Sequence, residues 1–183
     1  MNNSLFFNYA TALLDVCKEE NKDMVEMRNS IKFLMQTFKK DRDFERFFTF
    51  KNISYEEKCG VLETVFKGCD PLLLNFLKLL ITKNRAFYIY DILKESLSRF
   101  DVYLNLETGI IYSSEPLSID NINKIRLALE QKKNKRIELV NEIDKSLIGG
   151  FIIKLSGDIY DTSIKTKIER MKKLLKEGEK YAN

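Results

Sequence analysis

No histidine occurs anywhere in this chain. Its absence removes Ser-His-Asp and Cys-His machinery, the zinc-hydrolase helix motifs and histidine acid/base catalysis in one step. Cysteine is scarce: Cys17, Cys59 and Cys69 are odd in number and widely spaced, without a CxxC pair. They fit reduced, mostly buried thiols of a cytosolic compartment better than a disulfide framework or a metal site. No apolar run is long enough to span a bilayer. The longest, Leu72–Ile81, is short and broken by Lys78. The N-terminus lacks both a basic n-region and the arginine-rich character of a transit peptide, so the expected location is cytoplasmic. The net charge is only +4, with most of the excess after residue 105. Such a balance describes a mixed, solvated surface more than a nucleic-acid stripe.

What is present suits one large domain or two small ones. With 44% hydrophobic residues over 183 positions, the chain can bury a substantial core. Helical spacing dominates the first hundred residues. Ala10, Leu13, Leu14 and Cys17 make one stripe, with Ser4 as a possible cap. Met24, Met27, Ile31, Leu34, Met35 and Phe38 make a second, and an aromatic-rich segment follows from Phe44 to Phe50. Ser54-Tyr55-Glu56-Glu57 is a capping-box pattern, and Gly68 stops the helix it opens. Asp70-Pro71 starts a fifth helix that is apolar nearly all round. Ile89, Ile92, Leu93, Leu97, Phe100 and Leu104 mark a sixth. The expected fold is mainly α, with a six-helix bundle over residues 1–105.

The pattern changes at a junction near Asn105–Thr108. Gly109–Ser113 is a β-like run, and Ser118 can cap a helix carrying Ile122, Ile125 and Leu129. Lys135–Val140 alternates as a half-buried strand does, and Leu147–Leu155 reads as another strand. Ser163 then caps a last helix with Ile164, Ile168, Met171 and Leu175 on one face. Residues 106–183 therefore read strand-helix-strand-strand-helix, a small α+β domain.

None of the candidate motifs carries chemistry well. Gly149-Gly150 leads into a strand, without the spaced glycines and lysine of a phosphate loop, so a bulge or close backbone approach is the better reading. Asp158 and Asp161 are the one conceivable carboxylate pair, yet turn formation accounts for them. Lys132-Lys133-Asn134-Lys135-Arg136 is the sharpest basic cluster, but no aromatic adjoins it and a solvated turn explains it. Phe6 and Tyr9 on the first helix, beside the apolar fifth helix, leave room for a groove that takes an amphipathic helix.

Several segments, in order and spacing, resemble the delta subunit of F-type ATP synthases, counterpart of the mitochondrial oligomycin-sensitivity-conferring protein. Tyr9-Ala10-Thr11-Ala12-Leu13 is similar to that family's opening, and Asn84-Arg85 to its break between the fifth and sixth helices. Ile111–Ser118 resembles its strand-to-helix step. Asp144, Leu147, Ile148, Gly149 and Gly150, followed by Asp161 and Ser163, resemble its C-terminal signature most closely. Asn8 stands where the family usually has a basic residue, and Thr162 where it often has glycine.

The resemblance implies a non-catalytic stator subunit with no cofactor and no metal, in a proton- or sodium-translocating enzyme. Residues 1–105 would sit on the catalytic head and grip the N-terminal helix of an alpha subunit through Phe6, Tyr9 and Ala12 with Asn75, Phe76 and Leu79. Residues 106–183 would hold the membrane-anchored b subunits of the peripheral stalk. The subunit would lie at the cytoplasmic face of the bacterial membrane, held through the complex without inserting, and would bind no nucleic acid. Two alternatives remain on the residues alone. One is a nucleic-acid-binding helical protein with a small basic α+β module. The other is a small enzyme, disfavoured by the missing histidine and phosphate or metal motifs.

Overall fold

The computed structural model describes residues 3–40 and 42–180. The chain divides into two compact units, Met1–Leu104 and Asn105–Asn183. Helix content dominates, with one small four-stranded sheet.

The first unit holds α1 (Asn3–Glu19), α2 (Met24–Lys40), α3 (Arg42–Thr49), α4 (Tyr55–Val65), α5 (Pro71–Thr82) and α6 (Ile89–Tyr103), with a 3-10 turn at Ala86–Tyr88. Local chemistry sets the breaks. Asn21 turns the chain with φ 51°, and the Asp23 carboxylate then accepts from the amides of Val25 and Glu26 to start α2. At α4 the capping box is complete. Ser54 Oγ accepts from the Glu57 amide at 3.2 Å, and the Glu57 carboxylate accepts from the Ser54 amide at 2.9 Å. Asp70 caps α5 by accepting from the Leu72 amide, and Pro71 occupies a position whose N–H has no helical partner. Ser4, expected to cap the first helix, lies inside α1, which already starts at Asn3.

The apolar stripes meet in one core. Leu13, Leu14 and Cys17 of α1 pack with Ile31, Leu34 and Phe38 of α2, with Leu73, Leu77 and Leu80 of α5, and with Ile92, Leu93 and Phe100 of α6. The Phe44–Phe50 segment gains its structure from ring packing. Phe38, Phe44, Phe48 and Phe66 form a cluster with centroids 5.0 to 6.0 Å apart. One buried charge joins α2 to α6. Arg28 is 3% exposed, and its Nε donates to the Asp101 carboxylate, whose side chain is 18% exposed.

The second unit runs β1 (Leu106–Ser113), α7 (Ile119–Lys133), β2 (Arg136–Ile143), β3 (Phe151–Leu155), β4 (Ile159–Asp161) and α8 (Ile164–Lys180). The strand order is β2-β1-β3-β4. β1 is parallel to β2, with Leu106 opposite Arg136, and antiparallel to β3, with Gly109 opposite Leu155. The parallel pair needs a crossover, and α7 supplies it. Ile122, Ile125 and Leu129 of α7 pack against Ile111, Ile137, Ile153 and Leu155.

Gly109 is buried in the middle of this layer. A Cβ there would collide with the Leu155 side chain and stand 2.8 Å from the Lys154 carbonyl oxygen, so only glycine fits. Two expectations need correction. The strand read over Leu147–Leu155 begins only at Phe151, because residues 144–150 form turns. A further strand, β4, follows it. The side chain of Leu175 lies outside the described residues.

Candidate partner-binding surfaces and signature turns

Of the six residues read as a groove, the structure brings two into direct contact. The Tyr9 ring meets Phe76 edge-on at 6.3 Å, and the Arg85 guanidinium lies 5.4 Å from the centre of the Tyr9 ring. Phe76 is buried at 8% exposure and therefore forms floor, whereas Leu79, three residues on, is 44% exposed. Ala12 and Asn75 are exposed on their helices. The Phe6 ring pairs with Tyr88 of the 3-10 turn at 5.6 Å. Arg85 and Tyr88 are the residues that sequence reading missed here. The only signal for them was the chain break at Asn84-Arg85, which placed a turn without telling which rings it would carry.

The signature residues converge on the start of α8. Asp144 Oδ1 accepts from the Ser146 amide at 2.9 Å, and the Leu147 amide donates to the Asp144 carbonyl. Leu147 is buried, while Ile148 is 72% exposed. The Gly149 carbonyl accepts from the Ile164 amide at 3.0 Å, which ties the turn to the first residue of α8. Gly150 has φ 79°, and a Cβ on it would stand 2.6 Å from the Thr162 carbonyl oxygen. Asp161 closes the arrangement. Its two carboxylate oxygens accept from the Ser163 amide (2.8 Å) and the Thr166 hydroxyl (2.7 Å), while Ser163 Oγ accepts from the Thr166 amide. Those bonds hold the Asp161 carboxyl below its ordinary pKa. The hydrogen bonds described here close turns or cap a helix. The glycines are no phosphate loop, since the carbonyls of Gly149 and Thr162, both acceptors, crowd the turn.

The basic run Lys132–Arg136 is largely committed internally. Lys133 Nζ lies 2.9 Å from Glu107, which is 6% exposed, and 2.7 Å from Asp158. Lys132 lies over the Tyr160 ring at 4.6 Å, and Lys135 approaches Glu107 at 3.9 Å. Asn134 takes the left-handed conformation that ends α7. Asp158 is thus a tie between the β3–β4 turn and α7, and it does not form an acid/base pair with Asp161.

The Lys133 ammonium holds the Asp158 carboxyl below its ordinary value, through a hydrogen bond first and charge second. Asp144 and Asp161 are also held low, by hydrogen bonds from the Ser146 and Ser163 turns. For carboxyls depressed in the folded state, the stabilisation is complete above the unfolded pKa of about 4 and drains away as pH falls below it. The protection factors of the β1 and β3 amides, in which the intrinsic slowing of exchange in acid is divided out, are therefore expected to fall as pH drops below about 4. Asp158→Asn should flatten part of that slope, and an unchanged slope would contradict the assignment.

All three cysteines are free. Burial pushes the Cys17 thiol up to about 11, with the nearby charges of Asp70 and Glu20 adding to the effect, so it stays protonated and inert. Among the described residues no group of three potential metal ligands occurs, and no helix is long and apolar enough to cross a membrane.

The geometry thus defines a two-unit, mainly helical protein whose turn carboxylates and ion pairs serve its own architecture. Comparison with known proteins agrees. The family model for the ATP synthase delta (OSCP) subunit matches residues 7–175. The delta subunit of the ATP synthase of Mycoplasma mobile is 34% identical over 93% of this chain and 95% of its own length. That of Clostridioides difficile is 30% identical over 97% and 98%. Among solved structures, a chain of the Toxoplasma gondii mitochondrial ATP synthase hexamer shares the fold. Its TM-score is 0.68 at 20% identity, covering 93% of this chain and 97% of that one. The chain belongs to the ATP synthase delta (OSCP) subunit family, a family of non-catalytic structural subunits of the F-type complex.

Proposed function

We propose that this chain is the stator connector of its ATP synthase. Its N-terminal helices act as a six-helix bundle on the catalytic head and hold the N-terminal helix of an alpha subunit. Its C-terminal unit holds the ends of the membrane-anchored b subunits. Together they keep the head from turning with the rotor of a proton- or sodium-translocating enzyme. The chain itself is then peripheral, at the cytoplasmic face of the membrane and retained through the complex.

The observation that carries this reading is the ledge between α1 and α5. A half-buried Tyr9 set edge-on to Phe76 lies beside an exposed Leu79, with small Ala12 and polar Asn75 at its margin. A partner's amphipathic helix can lay apolar side chains there at helical spacing. On the second unit, Ile164, Ile168 and Met171 of α8 are 42%, 41% and 63% exposed at i, i+4 and i+7, a stripe suited to a stalk helix.

A stator needs slow dissociation, which desolvated apolar anchors provide better than rim charges. Calorimetric titration with a peptide from the N-terminus of the same organism's alpha subunit is expected to show tight binding that survives high salt. Tyr9→Asp and Leu79→Asp should each weaken it about thirtyfold or more, the loss typical of a hot-spot side chain. No binding by the folded protein would sink this reading and make nucleic acid the next ligand to test, with its steep salt dependence as the signature.

A further inference from the structure

A cavity of about 770 Å³ opens in the N-terminal unit where the end of α3, the start of α4 and the end of α5 meet the 3-10 turn. Its volume falls in the range of small-molecule sites, about 300–1,000 Å³. Phe48, Ile53, Ile81 and Phe87 give it apolar walls, and Phe87 is 69% exposed at the mouth. Among the described residues its charged lining is Lys51 and Lys58, with no acidic side chain.

Lys58 is the unusual member. The residue is only 8% exposed, yet the hydrogen bond found for its ammonium is a single one, to the Phe50 carbonyl at 2.7 Å. An ammonium has three donors and a charge that is costly to bury without a counter-ion. Among the described residues no carboxylate pairs with it. The closest in sequence, Glu57, is held by the amide and hydroxyl of Ser54.

The geometry points to a binding site for a carboxylate carried on an apolar body. The carboxylate accepts from Lys58, with Lys51 adding a second positive charge, and the body packs against Ile53, Ile81 and the Phe87 ring. The same chemistry has two sources, a free amphiphilic acid or the C-terminal residue of a partner chain. The site lies apart from the Tyr9–Phe76 ledge in its lining residues, so it stands or falls independently of the stator reading.

The test is a titration of the isotope-labelled full chain, followed by amide shifts, with four probes. They are 3-phenylpropionate for a free acid, N-acetylphenylalanine for a chain terminus, and the primary amide of each. The acids are expected to shift signals within residues 48–58 and 81–87, and to bind about tenfold or more tightly than their amides, as a charge-assisted contact requires. Lys58→Met should erase that preference. Lys51→Gln keeps the test sound should the Lys58 variant fold poorly, and is expected to weaken the acids about threefold without changing the amides. Phe87→Ser should weaken acids and amides alike. Tighter binding of N-acetylphenylalanine assigns a chain terminus, and tighter binding of 3-phenylpropionate a free acid. Equal binding of acid and amide, shifts confined to other residues, or no response at millimolar acid would overturn the proposal.

Discussion

Asp101→Ala is expected to cost the N-terminal unit about 3–5 kcal/mol, the penalty for stripping the carboxylate from a buried ion pair. The reason is the environment of Arg28, which is 3% exposed and anchors α2 to α6 through that carboxylate. Once Asp101 is gone, the guanidinium loses the carboxylate that its Nε donates to, and must keep its charge in a buried site or leave it by separating the two helices. With urea slopes of about 1–3 kcal/mol per molar, the midpoint should fall by at least about 1 M. Amide signals of α2 and α6 would report it separately from the second unit. Val102→Ala is the control. Val102 is 79% exposed on the same helix, and its loss should stay within about 0.5 kcal/mol. Joint replacement by Arg28→Met and Asp101→Leu should recover most of the stability, because apolar side chains of similar bulk need no counter-charge. A single variant as stable as the parent would show that the pair is ornamental.

Gly150→Ala should destabilise the second unit by about 2–5 kcal/mol, combining about 1–2 for a left-handed backbone with about 1–3 for overpacking. Both causes act at one atom: φ is 79°, and the new Cβ would sit 2.6 Å from the backbone carbonyl oxygen of Thr162, a residue whose amide is bonded to Phe151. Gly149→Ala offers an instructive contrast. Its Cβ would meet only the Ile164 side chain, a residue 42% exposed, with the movable Cδ1 tip nearest at 2.8 Å. The neighbouring substitution should therefore cost clearly less. Exchange protection at β3 and the first turn of α8 measures both. Equal losses at the two positions would mean that the Thr162 carbonyl moves aside and that the close approach is not what demands glycine.

Four of the helices, α4, α5, α7 and α8, were legible twice over, by an apolar period and by a start signal, whereas α1 and α6 were read from their apolar period. Ser54, Asp70, Ser118 and Ser163 all stand where a polar side chain can take the first free amides, and all four do so. The sheet was legible only in part. β4 is three residues long and its Ile159 is 67% exposed, so no alternation distinguishes it from a turn. Leu147 and Ile148 are as apolar as Phe151–Ile153, so the strand was read from Leu147, and only the Gly149-Gly150 pair between them marks where the turn ends and the ladder begins.

Pairings across long separations were out of reach altogether. Arg28 and Asp101 lie 73 positions apart, and Lys133 and Glu107 lie 26 apart. Each looks like an ordinary surface charge until the fold buries it. The ring contact between Tyr9 and Phe76 is a geometry that helical spacing alone could not supply.

The strand order of the second unit also sets a timetable for the ribosome. Its central strand, β1, is made first, but its two neighbours are β2 and β3, the latter ending at Leu155. No stable ladder can close around residues 106–113 until nearly the whole chain has emerged. The helical unit, whose core is complete by Phe100, can consolidate while the remainder is still being synthesised. A newborn chain therefore carries a finished helical half ahead of an unpaired strand for several seconds, at translation speeds of about 5–20 residues per second. During that interval Ile110 and Ile111 have no partner strand, and that is when the protein most depends on being shielded from its neighbours.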